Sequence, residues 1–258
     1  MSPLWTLDAM AQAMCAERSG ALPGAISGIS IDSRTIDRGE AFFAIKDARD
    51  GHEFVPAALA AGAGLAVVAN DKRGAFPKDA PLLAVPDVLE ALRDLARASR
   101  ARSAAKVIGV TGSVGKTGTK EALRLALSQS GSVHASAKSF NNHWGVPLSL
   151  ANMPKDVRFG VFELGMNHAG EIDALTRLAR PHIAIITTVA PVHLGYFRSV
   201  DEIADAKAEI FDGLMPGGSA ILPFDNPHFD RLEAKAKRMG ARILTFGTKD
   251  GAWARLTD

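Results

Sequence analysis

The segment Val107–Thr117 constrains the fold of this chain more than any other part of the sequence. It reads Val-Ile-Gly-Val-Thr-Gly-Ser-Val-Gly-Lys-Thr, an apolar run followed by a glycine-rich turn and then by a Lys-Thr pair that opens a predicted helix. Backbone N–H groups in such a turn, together with those at the helix N-terminus, can bind phosphate groups. The pattern predicts a parallel α/β sheet with a nucleotide-binding loop at the carboxyl end of one strand.

This phosphate loop is a variant of the general pattern G-x-x-x-x-G-K-[ST], because Val110 stands at the first glycine position and the glycine is found at Gly112 instead. Lys116 is expected to contact the β- and γ-phosphates, and the Thr117 hydroxyl to bind Mg²⁺. The alternative is an ordinary tight turn; the strand before it and the helix after it favour nucleotide binding. The predicted nucleotide contacts are Gly112, Ser113, Val114, Gly115, Lys116, Thr117 and Gly118.

Short apolar runs alternate with helix-forming segments, which is typical of an α/β fold with a largely parallel sheet. The predicted strands are 29–32, 41–45, 65–69, 82–85, 107–110, 160–164, 183–189, 220–223 and 242–246. The predicted helices are 54–61, 87–102, 117–128, 171–179, 200–214 and 230–239. Residues 1–84 form a predicted N-terminal α/β domain. Residues 85–258, which begin with a linking helix, form a predicted central domain with a mostly parallel sheet like that of phosphate-loop NTPases and helices on both faces.

Composition argues against several classes of partner. Thirty basic and 28 acidic residues give a net charge of +2, which is too small to indicate nucleic-acid binding or a charged membrane surface. No apolar run is long enough to span a membrane, and no signal peptide is visible. The single cysteine, Cys15, excludes an internal disulfide, and we expect it to be buried. We therefore expect a cytoplasmic protein that acts on small molecules, and a monomer.

Three side chains beyond the phosphate loop are candidates for metal or phosphate chemistry. Glu163 ends a predicted strand, and a carboxylate there can hold the Mg²⁺ that bridges the ATP phosphates, although such a glutamate is often only solvated. His193 follows the next strand; by itself it would more often be a structural or surface histidine. Lys207 shares a helix face with Ile203 and Ile210, so it should point partly inward. An inward lysine needs a partner or a modification, and the sequence leaves open which.

Several segments of the second half together resemble the Mur ligases. Thr111-Gly-Ser-Val-Gly-Lys-Thr117 is similar to their variant phosphate loop. Phe140-Asn-Asn-His-Trp-Gly-Val-Pro147 and Glu163-Leu-Gly-Met-Asn-His-Ala-Gly-Glu-Ile172 resemble the branch of the family that adds a D-alanyl-D-alanine dipeptide. The stretch from His193 to Ala206-Lys-Ala-Glu-Ile-Phe211 resembles the segment with the second-metal histidine and a lysine that is carbamylated in several members.

The first domain resembles the UDP-sugar-binding domain of the same ligases. The similarity rests on Asp32-Ser-Arg34, on Gly39-Glu-Ala-Phe-Phe-Ala-Ile-Lys46 and on Asp50-Gly-His-Glu-Phe54. An Arg and backbone amides are suited to a diphosphate. The resemblance implies that the contacts to the UDP-N-acetylmuramoyl group are Ser33, Arg34, Lys46, Asp50, Gly51 and His52.

The resemblance implies ATP-dependent amide-bond formation in peptidoglycan precursor synthesis. The carboxylate of UDP-N-acetylmuramoyl-tripeptide attacks the γ-phosphate to give an acyl phosphate, and the amine of D-alanyl-D-alanine then displaces phosphate. The implied cofactors are ATP and two Mg²⁺ ions held by Thr117, Glu163 and His193, with a carbamylated Lys207 in support. The implied catalytic groups are Lys116, Glu163, His193 and Lys207. Asn226 is the implied adenine contact, and further substrate contacts are Asn141, Asn142, Asn167 and His168.

Members of this family also have a C-terminal domain that binds the incoming dipeptide. Because the sequence ends at Asp258, we expect that domain to be absent and the chain to be inactive without it. Two alternatives stay open. One is a non-catalytic module that binds a UDP-sugar or a nucleotide, and the other is a ligase like folylpolyglutamate synthase, which shares the central domain but normally lacks the UDP-sugar domain.

Overall fold

The computed structural model describes residues 3–137, 139–192 and 195–257. The chain folds into two compact units. The first comprises Met1–Arg102 and Leu150–Lys155, and the second comprises Ser103–Ser149 and Asp156–Asp258. Within the described residues, no helix is both long and apolar enough to cross a membrane.

The first unit is built on a five-stranded sheet with the strand order β2-β7-β6-β5-β4. Its strands are β2 (Glu17–Ser19), β4 (Ile29–Ser30), β5 (Ala41–Phe43), β6 (Leu65–Ala69) and β7 (Leu82–Val85). In this sheet β2 runs antiparallel to its neighbour, and the other pairings are parallel. The separate antiparallel pair consists of β1 (Trp5–Thr6) and β3 (Ala25–Ile26), and the helices are α1 (Leu7–Ala13), α2 (Val55–Ala60) and α3 (Val88–Arg102). A core that includes Phe42, Val55, Val68 and Leu82 lies against the sheet.

The second unit is built on a seven-stranded sheet in which every pairing is parallel. The strand order is β14-β13-β12-β11-β8-β10-β9. The strands are β8 (Lys106–Thr111), β9 (Val133–Ala135), β10 (Phe159–Glu163), β11 (Ile183–Ile186), β12 (Ser219–Pro223), β13 (Arg242–Gly247) and β14 (Ala254–Arg255). The helices are α4 (Lys116–Ser128), α5 (Gly145–Ala151), α6 (Glu171–Ala179), α7 (Val200–Ala208) and α8 (Phe229–Arg238).

Both faces of this sheet are covered, as the sequence predicts. Ile108 packs in a cluster with Leu123 and Leu127 of α4. A Cβ at the next residue, Gly109, would instead contact the Ile210 side chain at 3.4 Å. Because successive residues of a strand point to opposite faces, α4 covers one face and the segment after α7 covers the other. The predicted α/β class with a mostly parallel central sheet is confirmed.

The boundary between the units differs from the division at residues 84 and 85 that the sequence suggests. Helix α3 belongs to the first unit, as does the short segment Leu150–Lys155. That segment is held there by Asn152, whose side chain accepts from the Ile29 N–H and donates to the Ile29 carbonyl, each at 2.9 Å. The six residues of this segment are too few to form a periodic pattern, so the sequence does not predict that the chain returns to the first unit here.

The sequence predicts a buried Cys15, and this prediction is wrong. The side chain is exposed, and the residue adopts a φ of +49° just after the last turn of α1. The neighbouring Met10, Ala11 and Met14 fill the core instead. The left-handed conformation turns Cys15 away from the apolar helix face on which the prediction relied.

Candidate functional site

Three strands of the second unit end together at the point where the sheet order reverses. Strand β8 lies between β10 and β11, and Val110 is paired with Glu163 on one side and with Ile185 on the other. In parallel α/β sheets, ligands bind outside the carboxyl ends of the strands at such a reversal. The phosphate loop follows β8 at this position, as the sequence predicts.

The loop is fixed to the segment that follows β11. Gly112 has a φ of +149°, and a Cβ there would lie 1.8 Å from Thr187 Oγ1, so only glycine fits. Thr187 Oγ1 donates to the Val114 carbonyl at 2.6 Å. Ser113 Oγ donates to the Ala190 carbonyl at 3.0 Å and accepts from the Ala190 N–H at 2.9 Å. These contacts fix the position of the loop at the N-terminus of α4.

The N-terminus of α4 has no side-chain cap. Its N-cap residue is Gly115, with a φ of +85°, and no side chain there accepts a hydrogen bond from the first turn of this 13-residue helix. Unsatisfied N–H groups at a helix N-terminus attract an anion, and the helix dipole adds to the attraction. The geometry therefore suits the phosphate ligand expected from the sequence. Val114, Thr117 and Gly118 lie exposed beside it.

Lys116 folds back over this loop. Its Nζ donates to the Gly112 carbonyl at 2.8 Å. Burial lowers the pKa of Lys116, and the negative charge of Glu163 opposes that shift. A partly desolvated cation is thereby held close to the loop's backbone donors, where it can act on a phosphate group.

Glu163 is the buried acid of the site, with only 1% of the residue exposed. Its Oε2 accepts from Thr117 Oγ1 at 2.8 Å, and its Oε1 accepts from Asn141 Nδ2 at 2.7 Å. A carboxylate and a hydroxyl oxygen are ligands that Mg²⁺ prefers, so these donors fit the expected ion. Among the described residues no group of three or more His, Cys, Asp or Glu side chains could hold a metal. His193, the other expected metal ligand, lies outside the described residues.

The two adjacent asparagines have different local partners. Asn141 connects to Glu163 through its side chain, and its carbonyl accepts from the Gly165 N–H at 2.8 Å. The Oδ1 atom of Asn142 accepts from the Gly145 N–H at 2.9 Å, where α5 begins. Asn141 is therefore placed to orient the acid, whereas Asn142 stabilises the start of a helix.

A cleft of about 190 Å³ lies beside the phosphate loop. Its lining residues are Lys116, Asn141, Asn142, Gly165, Met166, Asn167 and Glu171. The Asn167 N–H donates to Glu171 Oε2 at 2.8 Å, which fixes this side of the cleft. The exposed ring of His168 pairs with Glu171 Oε1 at 3.0 Å and packs edge-on against Tyr196. Of the two expected contacts, Asn167 lines this cleft and His168 lines a neighbouring one.

Lys207 is buried, with 2% of the residue exposed, so the expectation that it points inward is confirmed. Burial lowers its pKa to about 7, a shift to which the nearby positive charge of Lys116 also contributes. A lysine amine that is neutral near physiological pH is nucleophilic, and carbamylation requires such an amine. The residue thus has the electrostatic environment that the expected modification needs.

Asn226 follows β12, and its side chain connects two loops through hydrogen bonds. Its Nδ2 donates to Thr188 Oγ1 at 3.2 Å and to the Val189 carbonyl at 3.0 Å, and its Oδ1 accepts from the His228 N–H at 3.0 Å. These contacts tie the loop after β12 to the segment after β11. The adenine contact expected at this residue stays a prediction.

In the first unit, Arg34 and Asp32 form an exposed pair. Arg34 Nε and Nη2 donate to the two carboxylate oxygens of Asp32 at 2.8 and 2.7 Å, and the Arg34 side chain is 85% exposed. Ser33 lies between them and is half-buried. The guanidinium is preorganised and open to solvent, which suits a contact to a diphosphate.

The turn from Lys46 to His52 is closed by hydrogen bonds between Asp50 and His52. Asp50 Oδ1 accepts from the His52 N–H at 3.1 Å and from His52 Nδ1 at 2.6 Å, and these bonds lower the pKa of Asp50. His52 Nε2 accepts from the Ala69 N–H at 2.9 Å, which requires the proton to be on Nδ1. A Cβ at Gly51 would lie 2.5 Å from the Ile45 carbonyl oxygen. Asp50, Gly51 and His52 therefore shape the turn, and the exposed Lys46 is the side chain available to a ligand.

Three contributors to the second-unit site were not predicted. Thr187 supports the phosphate loop. Glu171 accepts from the Asn167 N–H in the loop that follows β10, here called the Asn167 loop. Glu209 accepts from the Gly170 N–H at the end of the same loop. Their roles are hydrogen bonds to backbone groups of other segments. Glu171 begins a predicted helix, whereas Thr187 and Glu209 fall inside a predicted strand and a predicted helix, and none of these positions identifies the partner.

Comparisons with known proteins cover both units. The Mur ligase middle domain profile matches residues 110–258, and the profile described as Mur ligase family, catalytic domain, matches residues 25–100. The UDP-N-acetylmuramoyl-tripeptide--D-alanyl-D-alanine ligase of Rickettsia prowazekii is 38% identical over 229 residues. That alignment covers 88% of this chain and 51% of the relative, so the chain spans about half the length of the curated relatives it matches.

Solved structures give the same result. A crystal structure of MurF from Acinetobacter baumannii superposes with a TM-score of 0.83 at 35% identity, covering 96% of this chain and 53% of that one. MurF ligase from Thermotoga maritima in complex with ADP superposes with a TM-score of 0.75 at 31% identity, covering 90% of this chain and 52% of that one. With the profile matches over both units, these similarities show that the chain belongs to the Mur ligase family.

Proposed function

We propose that this chain provides the UDP-sugar-binding and ATP-binding parts of a ligase that joins D-alanyl-D-alanine to UDP-N-acetylmuramoyl-tripeptide. The observation that carries the proposal is the buried Glu163, held between Thr117 of the phosphate loop and Asn141 of the D-alanyl-D-alanine-type segment. One carboxylate thus connects the nucleotide loop to the segment that distinguishes this branch of the family. Relatives that are 38% and 39% identical to this chain carry that activity in their names.

The charges of the site suit the reaction. An attack by a carboxylate on a triphosphate brings two anions together, so the site must supply positive charge where the reacting groups meet. Lys116 supplies such a charge at the loop, where its Nζ donates to the Gly112 carbonyl. In the proposed reaction, the acyl phosphate forms as ADP leaves, and the dipeptide amine then displaces phosphate. Asn141 and Asn167 line the cleft in which the acyl group would be held.

We propose that Thr117, Glu163 and His193 hold Mg²⁺. The ion would neutralise charge on the phosphate groups, and the donor chemistry of Thr117 and Glu163 supports its presence. We further propose that Lys207 is carbamylated, which would convert a buried cation into an anion on the metal side of the site. Its lowered pKa and burial support this modification.

In the first unit, Arg34 and Lys46 are the proposed contacts to the UDP-N-acetylmuramoyl group. Both side chains are exposed, and Arg34 is oriented by Asp32. Ser33 lies beside Arg34. The turn formed by Asp50, Gly51 and His52 fixes the conformation of the backbone that carries Lys46. The support is therefore two cations on ordered turns, which match a diphosphate.

The setting we propose is a monomer in the cytoplasm, with small-molecule substrates and no nucleic-acid partner. A net charge of +2 and a single, exposed cysteine support this assignment. Light scattering at several protein concentrations would test the monomer, and a mass that rises with concentration would contradict it.

The test of the function is product formation. The chain, alone and together with a separately expressed C-terminal domain from a D-alanyl-D-alanine-adding relative, is incubated with Mg-ATP, UDP-N-acetylmuramoyl-tripeptide and D-alanyl-D-alanine. Mass spectrometry searches for the joined product while ADP is measured. The Lys116→Ala variant should form no product. Lys106→Ala, a matched change at the exposed first residue of β8, should behave like the unmodified chain.

The outcomes separate the alternatives. A product that requires both D-alanyl-D-alanine and Lys116 supports the ligase. Binding of both ATP and the UDP-sugar, without any product even when the C-terminal domain is supplied, favours the non-catalytic binding module. Product from a reduced folate and glutamate would favour a folylpolyglutamate synthase-like ligase, and the first unit, with its own Mur ligase profile match, argues against that result.

A further inference from the structure

The loop after β10 carries Asn167 into the cleft beside Lys116 and ends at Gly170. Gly170 is the N-cap of helix α6, has a φ of +86° and has no side chain that could accept hydrogen bonds from the first turn. Backbone N–H groups at a helix start are ordinarily satisfied by the N-cap side chain. The α6 helix therefore needs a cap from elsewhere.

Glu209 supplies this cap from the segment after α7. Its Oε1 accepts from the Gly170 N–H at 2.7 Å, and its Oε2 accepts from the Asp173 N–H at 3.1 Å. The two residues at the closer contact are 39 positions apart in sequence. A carboxylate at a helix N-terminus is also favoured by the helix dipole. Both oxygens of Glu209 are thus used to hold the start of α6.

The rest of the segment is fitted closely to the same helix. Thr176 Oγ1 donates to the Ile210 carbonyl at 2.7 Å. A Cβ at Gly213 would lie 2.2 Å from the Thr176 carbonyl oxygen, so the two backbones touch. Helix α6 and the segment Glu209–Gly213 therefore cannot slide past each other.

Glu209 also lies two residues beyond Lys207, and α7 continues without interruption into the 3₁₀ turn Glu209–Gly213. A single stretch of chain thus places the buried Lys207 and caps the helix that begins at the end of the Asn167 loop. The position of this lysine and the position of that loop are set together.

We propose that Glu209 is a positioning residue, which caps α6 from outside and thereby holds the Asn167 loop in place beside Lys116. This inference rests on the proposed function, in which ATP occupies the phosphate loop. The β-phosphate would lie at the loop itself, and a terminal phosphate would extend past Lys116 toward the cleft that Asn167 lines. Loss of the cap should therefore weaken binding of a triphosphate much more than binding of a diphosphate.

The experiment compares the unmodified chain with Glu209→Ala, Glu209→Gln and Asp212→Asn. Asp212→Asn is the matched control, because Asp212 lies in the same turn but pairs with Lys235 of α8 instead of capping α6. Hydrogen–deuterium exchange of peptides that cover residues 165–173 reports on the loop. Calorimetry measures the affinities for Mg-ADP and for a non-hydrolysable Mg-ATP analogue.

We expect Glu209→Ala to increase exchange in residues 165–173 at least tenfold and to weaken the ATP analogue about tenfold, with Mg-ADP changed less than twofold. Glu209→Gln, which keeps one good acceptor, should fall between, and Asp212→Asn should match the unmodified chain in both measurements. Unchanged exchange in Glu209→Ala, or an equal loss of affinity for both nucleotides, would overturn the positioning role. If the unmodified chain binds neither nucleotide, the proposed function is at fault, and the exchange result still decides whether Glu209 holds the loop.

Discussion

At the level of single residues, the main charged groups of the second-unit site are the half-buried Lys116 and the buried Lys207 and Glu163. Lys116 and Lys207 carry like charges, and burial lowers the pKa of both. Glu163 lies between a hydroxyl and an amide donor, which are contacts that a carboxylate prefers. Such an arrangement costs stability in the absence of ligands and is typical of sites that bind polyanions.

Replacing Lys207 with Met should stabilise the chain at neutral and acidic pH. The pKa of Lys207 is depressed to about 7, so below pH 7 folding keeps a charge buried at a cost, and the cost fades as pH rises toward the ordinary lysine value of 10.5. We expect Lys207→Met to gain roughly 2–4 kcal/mol at pH 6, and less at pH 9. Urea unfolding in bicarbonate-free buffer at both pH values measures this. A gain that is equal at both values would contradict the assigned burial of charge.

Replacing Glu163 with Gln should remove the magnesium dependence of nucleotide binding. The amide cannot supply the negative charge that a bound ion requires, although it fills the same space. We expect Mg-ADP affinity to fall at least tenfold, while affinity measured in the presence of a chelator stays the same. Glu90→Gln, a matched change at an exposed position of α3, should have no effect in either condition. Full magnesium dependence in Glu163→Gln would rule out its role as a metal ligand.

Replacing Arg34 with Ala should weaken UDP-sugar binding without affecting folding. The side chain is exposed and its ion pair with Asp32 is solvated, so the thermal unfolding midpoint should not change measurably. We expect the affinity for UDP-N-acetylmuramoyl-tripeptide to fall about tenfold by calorimetry. Arg97→Ala, which breaks a similar exposed pair with Asp94 on α3, serves as the control. Equal affinities of the two variants would remove Arg34 from the site.

At the level of elements, the carboxyl ends of β8, β10 and β11 create the site, and backbone geometry decides what fits there. Gly112 approaches Thr187 so closely that no side chain can be accommodated. The phosphate loop depends on this approach, since Thr187 and Ser113 are the links between the loop and the segment after β11. The loop is therefore a tertiary structure as much as a local turn.

Replacing Gly112 with Ala should destabilise the chain by about 1–3 kcal/mol, because of its φ and the contact with Thr187. It should also abolish detectable Mg-ATP binding. Gly118→Ala provides the contrast within the same loop and helix, since its Cβ would meet nothing within 4 Å and alanine favours a helix by up to about 1 kcal/mol. Thermal unfolding of both variants measures the difference. A Gly112→Ala variant as stable as the unmodified chain would show that the loop tolerates a side chain.

The sequence predicted those elements whose own residues determine them. Strands β6 and β7 and helix α6 have the predicted limits, because an apolar run or an amphipathic face extends over their full length. The predicted strand at 183–189 ends early, at Ile186, because Thr187 turns to support the phosphate loop. The short strands β1, β2, β3, β9 and β14 were not predicted, since two or three residues carry no periodic signal and pair only through tertiary contacts.

The candidate site was predictable to a similar extent. The phosphate loop, Glu163 and the burial of Lys207 follow from motif and helix face. The partners of Glu163 could not be predicted, because these side chains meet across separate elements. The hydrogen bond between Asp50 and His52 could not be predicted either, because it depends on how the turn folds back on itself. The cap that Glu209 provides for α6 belongs to the same class.

At the level of the whole molecule, the proposed function gives each unit a different ligand to recognise. The first unit presents exposed cations on ordered turns. The second presents a helix N-terminus without a side-chain cap, beside the half-buried Lys116 and the buried Lys207 and Glu163. Both match Mur ligase profiles, and under the proposed function one chain binds a UDP-sugar peptide and a nucleotide. The UDP-sugar peptide is the more discriminating of these two ligands, because nucleotide binding alone is common to many α/β proteins.

Calorimetric titration of UDP-N-acetylmuramoyl-tripeptide into the chain, with and without Mg-ATP, is the decisive test of this pairing of ligands. We predict saturable binding with one site per chain in both conditions, weakened in Arg34→Ala and retained in Lys116→Ala. Absence of UDP-sugar peptide binding, with Mg-ATP still bound, would contradict the proposed function and would leave the chain as a Mur ligase family protein that binds only the nucleotide.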